Sequence, residues 1–190
     1  MEAFSDSVMA VIITIMAFDL RPPAGSSWAS VEKQLPGVAV YALSFAFIAI
    51  YWNNHHHLLR AAGRISAGVM WANLTLLFFL SLIPVLTEWL RVQYHHALPA
   101  SMYGMAAIAA ALSYTVLVQA LIRANGRDSA FAQSIGSDRK GFVSLGIYAC
   151  GVVLAFVNPW IAYALYAAVC VIWFVPDPRL SRRRPSMTDL

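Results

Sequence analysis

The side chains of this sequence that could bind a metal or transfer protons are its five histidines and a few carboxylates. His55, His56 and His57 are consecutive, and consecutive residues of a helix point about 100° apart, so the three cannot share one ion. No His, Asp or Glu four residues along the same helix completes a site, and His95-His96 has the same weakness. We therefore predict no bound metal, and the sequence suggests no cofactor.

The patterns typical of enzymes are absent from the sequence. There is no nucleophile beside a base, no phosphate-binding glycine loop and no pair of catalytic carboxylates. Cys150 and Cys170 both fall in apolar stretches, where small buried side chains are expected rather than a disulfide. The chain is therefore not expected to be an enzyme.

Asp6 stands near the start of the first apolar run. An ionisable group at the start of a membrane helix is costly unless it is paired or hydrated. One interpretation is a hydrogen-bonded cluster with polar groups of neighbouring helices. The other is a solvated residue favoured by the dipole at the helix N-terminus.

The same run has one mixed polar and apolar face when it is read as a helix. Ser7, Val11, Thr14 and Phe18 follow the spacing of that face, and Ile15 lies next to it. Such a face fits a water pathway with a hydrophobic constriction that gates by dewetting. The spacing also fits ordinary lipid-facing or core residues. A second stripe of mostly small residues suits close helix packing. Its members are Asp6, Ala10, Ile13 and Ala17.

The composition requires a membrane around these segments. Of the 190 residues, 60% are hydrophobic and 12% are charged, and the mean hydropathy is +0.65. Apolar runs of membrane-spanning length follow one another with short polar links, so we predict an all-α integral membrane protein with six transmembrane helices. The predicted spans are residues 4–20, 38–57, 69–90, 102–122, 142–157 and 160–175. Residues 1–176 form the membrane domain, and residues 177–190 form a basic tail.

The distribution of Lys and Arg predicts the orientation, because short cytoplasmic loops retain positive charge. With both termini in the cytoplasm, ten of the 13 basic residues lie inside. The three outside are Arg21, Lys33 and Arg91. The basic residues are spread over loops and do not form a continuous nucleic-acid-binding surface, so no nucleic-acid partner is expected. The expected surroundings of the chain are the lipid bilayer.

This topology brings polar residues of three helices to one membrane depth. The start of the first helix, the end of the second and the start of the third all lie at the cytoplasmic side. We expect Ser5 and Asp6 to form a hydrogen-bonded cluster with some of the polar residues there. Those residues are Trp52, Asn54, His55, His56 and Asn73.

Three stretches of the chain resemble a known family. Residues 2–14 read EAFSDSVMAVIIT, which is similar to the Phe-Ser-Asp signature of the transmembrane protein 175 family, the endosomal and lysosomal potassium channels and their prokaryotic relatives. The stretches WNNHH at 52–56 and WANL at 71–74 are also similar to that family's pattern. The last three helices match in hydropathy alone. Where the family usually has an arginine, three residues before Phe4, this chain has Met1.

The resemblance implies a homotetrameric cation channel in which each chain of a prokaryotic member supplies six helices and the first helix lines the pore. It implies an apolar constriction at Val11, with Ile15 and Phe18 one and two turns outward. Thr14 falls in the polar layer implicated in selectivity, and Ser7 lies on the same pore-lining face. The resemblance also implies a structural network around the signature. Its members here are Phe4, Ser5, Asp6, Trp52, His56 and Asn73.

The leading hypothesis is a leak-like channel in a prokaryotic plasma membrane that conducts potassium and other monovalent cations with weak selectivity. It lacks the Thr-Val-Gly-Tyr-Gly filter sequence, so selection would rest on a dewettable ring and partial dehydration near Thr14. The alternative is a proton-coupled or other secondary transporter that uses Asp6 and the histidines, for which Pro84 is the one candidate helix break. A third option, a non-conducting scaffold, predicts that the face of the first helix is packed.

Overall fold

The computed structural model describes residues 1–135 and 139–174, and all regular structure in these two ranges is helical. The predicted all-α class is therefore confirmed for this part of the chain. The predicted basic tail at 177–190 lies outside the described residues. The helices in chain order are α1 (Glu2–Phe18), α2 (Trp28–Glu32), α3 (Leu35–Ala61), α4 (Ala67–Ser81), α5 (Ile83–Val92), α6 (Ala97–Asn125), α7 (Ala130–Ile135), α8 (Arg139–Leu154) and α9 (Pro159–Phe174).

Among the described residues, three segments are long and apolar enough, by length and composition, to cross a bilayer. They are Leu35–Ala61, Ala67–Val92 and Ala97–Asn125. The helix Pro159–Phe174 is apolar but shorter. Helix α1 has 17 residues and α8 has 16, close to the lower limit for a span. A count of six spans therefore stays a prediction, while each predicted segment is observed to contain helix within the described residues.

Local sequence signals explain where several helices begin and end. Pro36 stands in the first turn of α3, where its missing N–H costs nothing. Ser27 caps α2 by accepting a hydrogen bond from Ser30 N at 3.3 Å. Asn158 Oδ1 accepts from Trp160 N at 3.0 Å and so opens α9. The tight link expected at Asn158-Pro159 is present.

Helices α4 and α5 form one span that is interrupted at Leu82. Pro84 lies in the first turn of α5 and has no N–H to donate. Leu82 N donates to Phe79 O at 3.3 Å, a tightened turn, and Leu86 N resumes the ladder by donating to Leu82 O at 3.2 Å. A single residue therefore separates two helices that continue one another along the chain.

Hydrogen bonds between helix ends and the loops that connect other helices show which helix ends lie on the same side of the bundle. On one side, Asn125 at the end of α6 accepts a hydrogen bond from Arg64 N, in the link after α3, at 2.8 Å. On the other side, the Tyr163 hydroxyl near the start of α9 donates to Tyr94 O, in the link before α6, at 2.7 Å. This grouping agrees with an alternating path of the chain. The basic-residue count alone indicates which side is cytoplasmic.

Helices α6, α8 and α9 pack together around the side chain of Tyr166. Tyr166 is buried, and its hydroxyl donates to Ala100 O at 3.1 Å. Two glycines make room for its ring: a Cβ on Gly104 would overlap the Tyr166 hydroxyl, and a Cβ on Gly151 would lie 2.5 Å from the ring. Glycine at these positions lets α6 and α8 approach α9 closely.

Candidate functional site

One face of α1 is packed inside the protomer. Ser5, Met9, Ile12 and Met16 are buried, and their spacing places them on a single stripe. This stripe contacts α3, α4 and α5. Helix α1 is therefore held on one side by three helices of its own chain.

The opposite face of α1 is uncovered in the protomer, and it carries all five residues predicted to line a pore. Val11, Ile15 and Phe18 are 54%, 46% and 87% exposed. Ser7 and Thr14 are exposed on the same face. A face that is dry and packed, as a scaffold would need, is not what a single chain presents here.

The hydroxyls on this face are oriented by their own helix. Ser7 Oγ donates to Ala3 O at 2.8 Å, and Thr14 Oγ1 donates to Val11 O, also at 2.8 Å. Because each hydroxyl proton is bonded to the helix backbone, the oxygen lone pairs are left for partners outside the helix. The exposed face thus presents acceptors between apolar side chains, which suits a cation.

The sequence suggested that the stripe of small residues on α1 packs against other helices. Within one chain, a different face of α1 is the packed one. Ala10 and Ala17 are exposed, and Asp6 and Ile13 are half-buried. The packed stripe lies one residue earlier and includes Met9 and Met16. Methionine is unbranched and fills irregular gaps, so close packing did not require small residues.

A buried polar network anchors the start of α1. Ser5, His55 and Asn73 are at most 1% exposed. Asn73 Nδ2 donates to Ser5 Oγ at 3.0 Å, and His55 Nε2 lies 2.7 Å from Asn73 Oδ1. Because Asn73 Oδ1 can only accept, His55 Nε2 carries the proton. Ser5 Oγ in turn donates to Met1 O at 3.2 Å. One amide therefore joins α1, α3 and α4.

A second, more exposed cluster lies beside this network. His56 Nδ1 is 3.1 Å from Glu2 Oε1 and 3.8 Å from Asp6 Oδ2. Arg60 Nε donates to Glu2 Oε1 at 3.1 Å, and the Trp52 ring stacks on the His56 ring with centroids 5.5 Å apart. Both carboxylates of α1 thus lie beside cationic or ionisable groups of α3.

Two residues of the predicted network lie elsewhere. Asn54 Nδ2 donates to Ile50 O of its own helix at 2.9 Å, and the residue lines a cavity of about 50 Å³ between α3, α6, α8 and α9. Asn54 and His55 are consecutive, so they point in directions about 100° apart and cannot both face α1. Phe4 is 56% exposed and makes no part of the buried network.

Two features of the site were missing from the sequence-based interpretation. The spacing argument against a metal considered α3 alone, whereas Glu2, Asp6 and His56 bring donor atoms from two helices within 4.8 Å of one another. The buried bond from Thr87 Oγ1 to Ser44 Oγ, 2.8 Å long, ties α5 to α3 behind α1. When a single Ser or Thr lies in an apolar run, the sequence does not indicate which side chain its hydroxyl will bond to.

These features define a helical membrane protein whose first helix is anchored by buried polar groups on one side and uncovered on the other. The model of the endosomal/lysosomal potassium channel TMEM175 family matches residues 1–84, which include every predicted site residue. The chain belongs to this family. The resemblance inferred from three short stretches is therefore confirmed.

Relatives match almost the whole chain. A potassium channel of Chryseobacterium sp. (strain P1-3) is 42% identical over 96% of this chain and 95% of its own length. A potassium channel of Streptomyces collinus is 31% identical and covers 97% of both chains. The fold is similar to the crystal structure of a lysosomal potassium-selective channel TMEM175 homolog from Chamaesiphon minutus, with a TM-score of 0.77 at 22% identity, over 91% of this chain and 94% of that one.

Proposed function

We propose that this chain is the subunit of a potassium-permeable cation channel in a prokaryotic plasma membrane. The relatives that carry the name potassium channel match it from end to end. The observation that carries the proposal is the uncovered face of α1, along which the exposed residues Val11, Thr14 and Phe18 lie. That face has the alternation of hydroxyl oxygens and apolar side chains expected along a narrow ion pathway.

The proposed assembly is a homotetramer with the α1 helices around the axis. One chain offers a single uncovered stripe, which cannot enclose a conduit, so several copies are needed. The opposite side of α1 packs on α3, α4 and α5 of the same chain. These contacts would hold each α1 with its uncovered face toward the axis.

The proposed selection mechanism uses no cage of backbone carbonyls. Rings of Val11, Ile15 and Phe18 would form apolar constrictions that exclude water until ions and water enter together. A ring of Thr14 oxygens, whose protons are bonded to the backbone, would replace part of the hydration shell of a cation. Few fixed ligands discriminate poorly between ions of equal charge, so weak selectivity for potassium over sodium is expected.

The proposed orientation has both termini in the cytoplasm and six spans. Its support is the excess of Lys and Arg in the inner links, together with the grouping of the α6 end with the link after α3. The cluster of Glu2, His56 and Arg60 then lies at the cytoplasmic mouth of the pathway.

The test is potassium flux from liposomes that contain the purified protein. Val11→Asn places a polar side chain in the proposed apolar ring, so it lowers the barrier to wetting and should enlarge the flux or alter it. Val153→Asn is the matched control, because Val153 is 67% exposed on α8, which packs mainly against α6 and α9. Absence of flux from the unmodified protein at every ion gradient would overturn the channel proposal.

The interruption of the third span is the observation that bears on a transporter. Carriers often use discontinuous helices with unwound backbone at the substrate site. Here Leu82 alone separates α4 from α5, and the hydrogen bonds resume at Leu86. A proline interruption of this size leaves no unwound segment to bind substrate. A saturable, substrate-specific flux from a monomeric or dimeric particle would nevertheless favour the carrier.

A further inference from the structure

A cavity away from the proposed pore face lies inside the helix bundle. It has a volume of about 50 Å³ and is lined by residues of α3, α6, α8 and α9. One water molecule needs roughly 10–15 Å³ of such space, so the cavity has room for the head group and first carbons of a small ligand. None of the described residues that line it belongs to α1.

Aromatic rings that already contact one another form much of the cavity wall. The Tyr51 ring lies 4.9 Å from the Phe47 ring and 5.9 Å from the Tyr114 ring, measured between centroids. The Phe47 ring also meets the Tyr148 ring edge-on at 6.4 Å, which connects α3 to α8. Rings that hold one another in place lose little freedom when a ligand binds, so the cavity is preformed.

Three polar side chains, Asn54, Thr115 and Ser144, also line the cavity. Thr115 Oγ1 donates its proton to Ala111 O at 3.1 Å, so the oxygen lone pairs can accept a further hydrogen bond. Asn54 uses one N–H for Ile50 O at 2.9 Å. That bond leaves the second N–H and the side-chain oxygen of the amide for a ligand. Donor and acceptor capacity at one place matches a hydroxyl group, which both donates and accepts.

The charge of the wall restricts the ligand further. All described residues that line the cavity are uncharged. An ionised head group would lose its hydration in such a place without gaining an opposite charge, which is costly in free energy. The wall therefore favours an uncharged head group, such as an alcohol, over the carboxylate of a fatty acid.

An open groove between α3 and α9 gives the cavity an entrance from the bilayer. The cavity and the groove share Cys170. The described residues that line the groove are all apolar. Two of them, Val171 and Phe174, are 64% and 76% exposed, so the groove is accessible from the surroundings of the protomer. An alkyl chain can lie in this groove while its head group reaches the cavity.

The polar side chains lie at the end of the cavity that is nearer the membrane surface. Asn54 is about two turns before the end of α3, and Ser144 lies in the second turn of α8. Phe47 and Tyr148 lie closer to the middle of the same two helices. A lipid-like molecule keeps its polar head near the interface and its chain toward the bilayer centre, because the bilayer core offers no hydrogen bonds. The cavity therefore has the polarity of such a molecule.

From this geometry we propose that each chain binds one uncharged single-chain amphiphile of the bilayer, a long-chain alcohol, in the cavity between α3, α6, α8 and α9. Its hydroxyl bonds to Asn54 and Thr115, and its alkyl chain passes Cys170 into the groove. Binding at this place uses no residue of α1, so the inference does not rest on ion conduction.

The test is photolabelling of the full chain in liposomes with an octanol that carries a diazirine beside the hydroxyl end, followed by mass spectrometry of the adducts. We expect adducts on the cavity residues Tyr51, Tyr114 or Cys170. Excess 1-octanol should suppress them, whereas octanoate at a pH where it is ionised should not. Adducts that octanoate suppresses as well as octanol does would contradict recognition of an uncharged head group.

A larger side chain in the cavity provides the first variant. Ala111→Leu fills part of the space, because Ala111 lines the cavity, and it should abolish the cavity adducts. Val116→Phe is the matched control, since Val116 is 56% exposed on the same helix and adds its bulk outside the cavity. Elution and thermal unfolding show whether each variant is folded. Unchanged adducts in a folded Ala111→Leu variant would overturn the inference.

Asn54→Leu tests the head group without filling the cavity, because the two side chains have similar size. Loss of the hydrogen bonds to the ligand should reduce the cavity adducts roughly fivefold. A diazirine-bearing octane without a hydroxyl should label both forms equally. Adducts confined to Val171 and Phe174, or spread over all exposed apolar residues, would show that the alkyl chain meets only the protein surface and would refute the cavity site.

Discussion

Asn73 joins α1 to both α3 and α4 through one side chain, because its amide donates to Ser5 and accepts from His55 at once. All three side chains are buried. A neutral network of this kind contributes little when it is complete, and its loss is costly because the remaining partners stay buried without the hydrogen bonds that the lost side chain supplied. The polar residues at the start of α1 thus fix the position of the helix proposed to line the pore.

We predict that Asn73→Ala lowers the free energy of unfolding by about 1–3 kcal/mol, since Ser5 and His55 are left without their shared partner. The measurement is thermal unfolding in detergent followed by tryptophan fluorescence. Asn54→Ala is the control, because Asn54 bonds to the backbone of its own helix. An equal loss of stability in both variants would contradict a special role for the buried amide.

We predict that Thr14→Val lowers the ratio of potassium to sodium flux, because it removes the oxygen that faces the proposed pathway and keeps the shape of the side chain. Thr14→Ser retains the hydroxyl and should retain most of the ratio. Both ratios come from paired flux measurements with potassium and sodium gradients. A Thr14→Val ratio equal to that of the unmodified protein would exclude this hydroxyl from selection.

How much of the site could be predicted depends on which residues share a helix. The grouping of Val11, Thr14 and Phe18 follows from helical periodicity, which needs no partner. The separation of Asn54 from His55, and the approach of Glu2 to His56, depend on the rotation of one helix against another. That rotation is set by packing on other helices, which a single sequence does not display.

At the scale of the elements, hydropathy located the apolar segments better than the helix ends. Helix α3 extends over Leu35–Ala61, whereas the predicted span covers 38–57. Its last turns contain His, Leu and Arg residues that continue the backbone hydrogen bonding beyond the apolar part. Helix α7 was not predicted, because a short helix in a polar link lacks both length and apolar periodicity.

The close packing of Gly151 against the Tyr166 ring leads to a prediction about stability. Gly151→Ala should lower the free energy of unfolding by about 1–3 kcal/mol, because the added methyl group would lie 2.5 Å from the ring. Gly146→Ala is the matched control on the same helix, since nothing lies within 4 Å of a Cβ there. It should be neutral or slightly stabilising. Thermal unfolding in detergent separates the two, and equal midpoints would contradict the packing.

At the scale of the whole molecule, the apolar surface that remains exposed is expected to face lipid or other copies of the chain. The exposed large side chains of α1 belong to a helix that the same protomer anchors with buried polar groups. A helix so fixed on one side can present its other side to identical neighbours in a closed ring.

We predict a particle with four times the 20.9 kDa mass of one chain when native mass spectrometry is performed from detergent or lipid nanodiscs. Phe18→Ala removes the bulkiest exposed side chain of α1 and should leave the count unchanged if Phe18 faces an open pathway. A monomer or dimer as the conducting species would contradict the tetramer and favour the carrier.

The tight link before Pro159 has a consequence for biogenesis. Four residues separate α8 from α9, and α8 begins with Arg139 and Lys140, which partition poorly into lipid. Helix α9 follows at once and is strongly apolar. We expect the translocon to receive the two as a single hairpin, in which the second helix draws the first across the bilayer and leaves its two cations at the ribosome side.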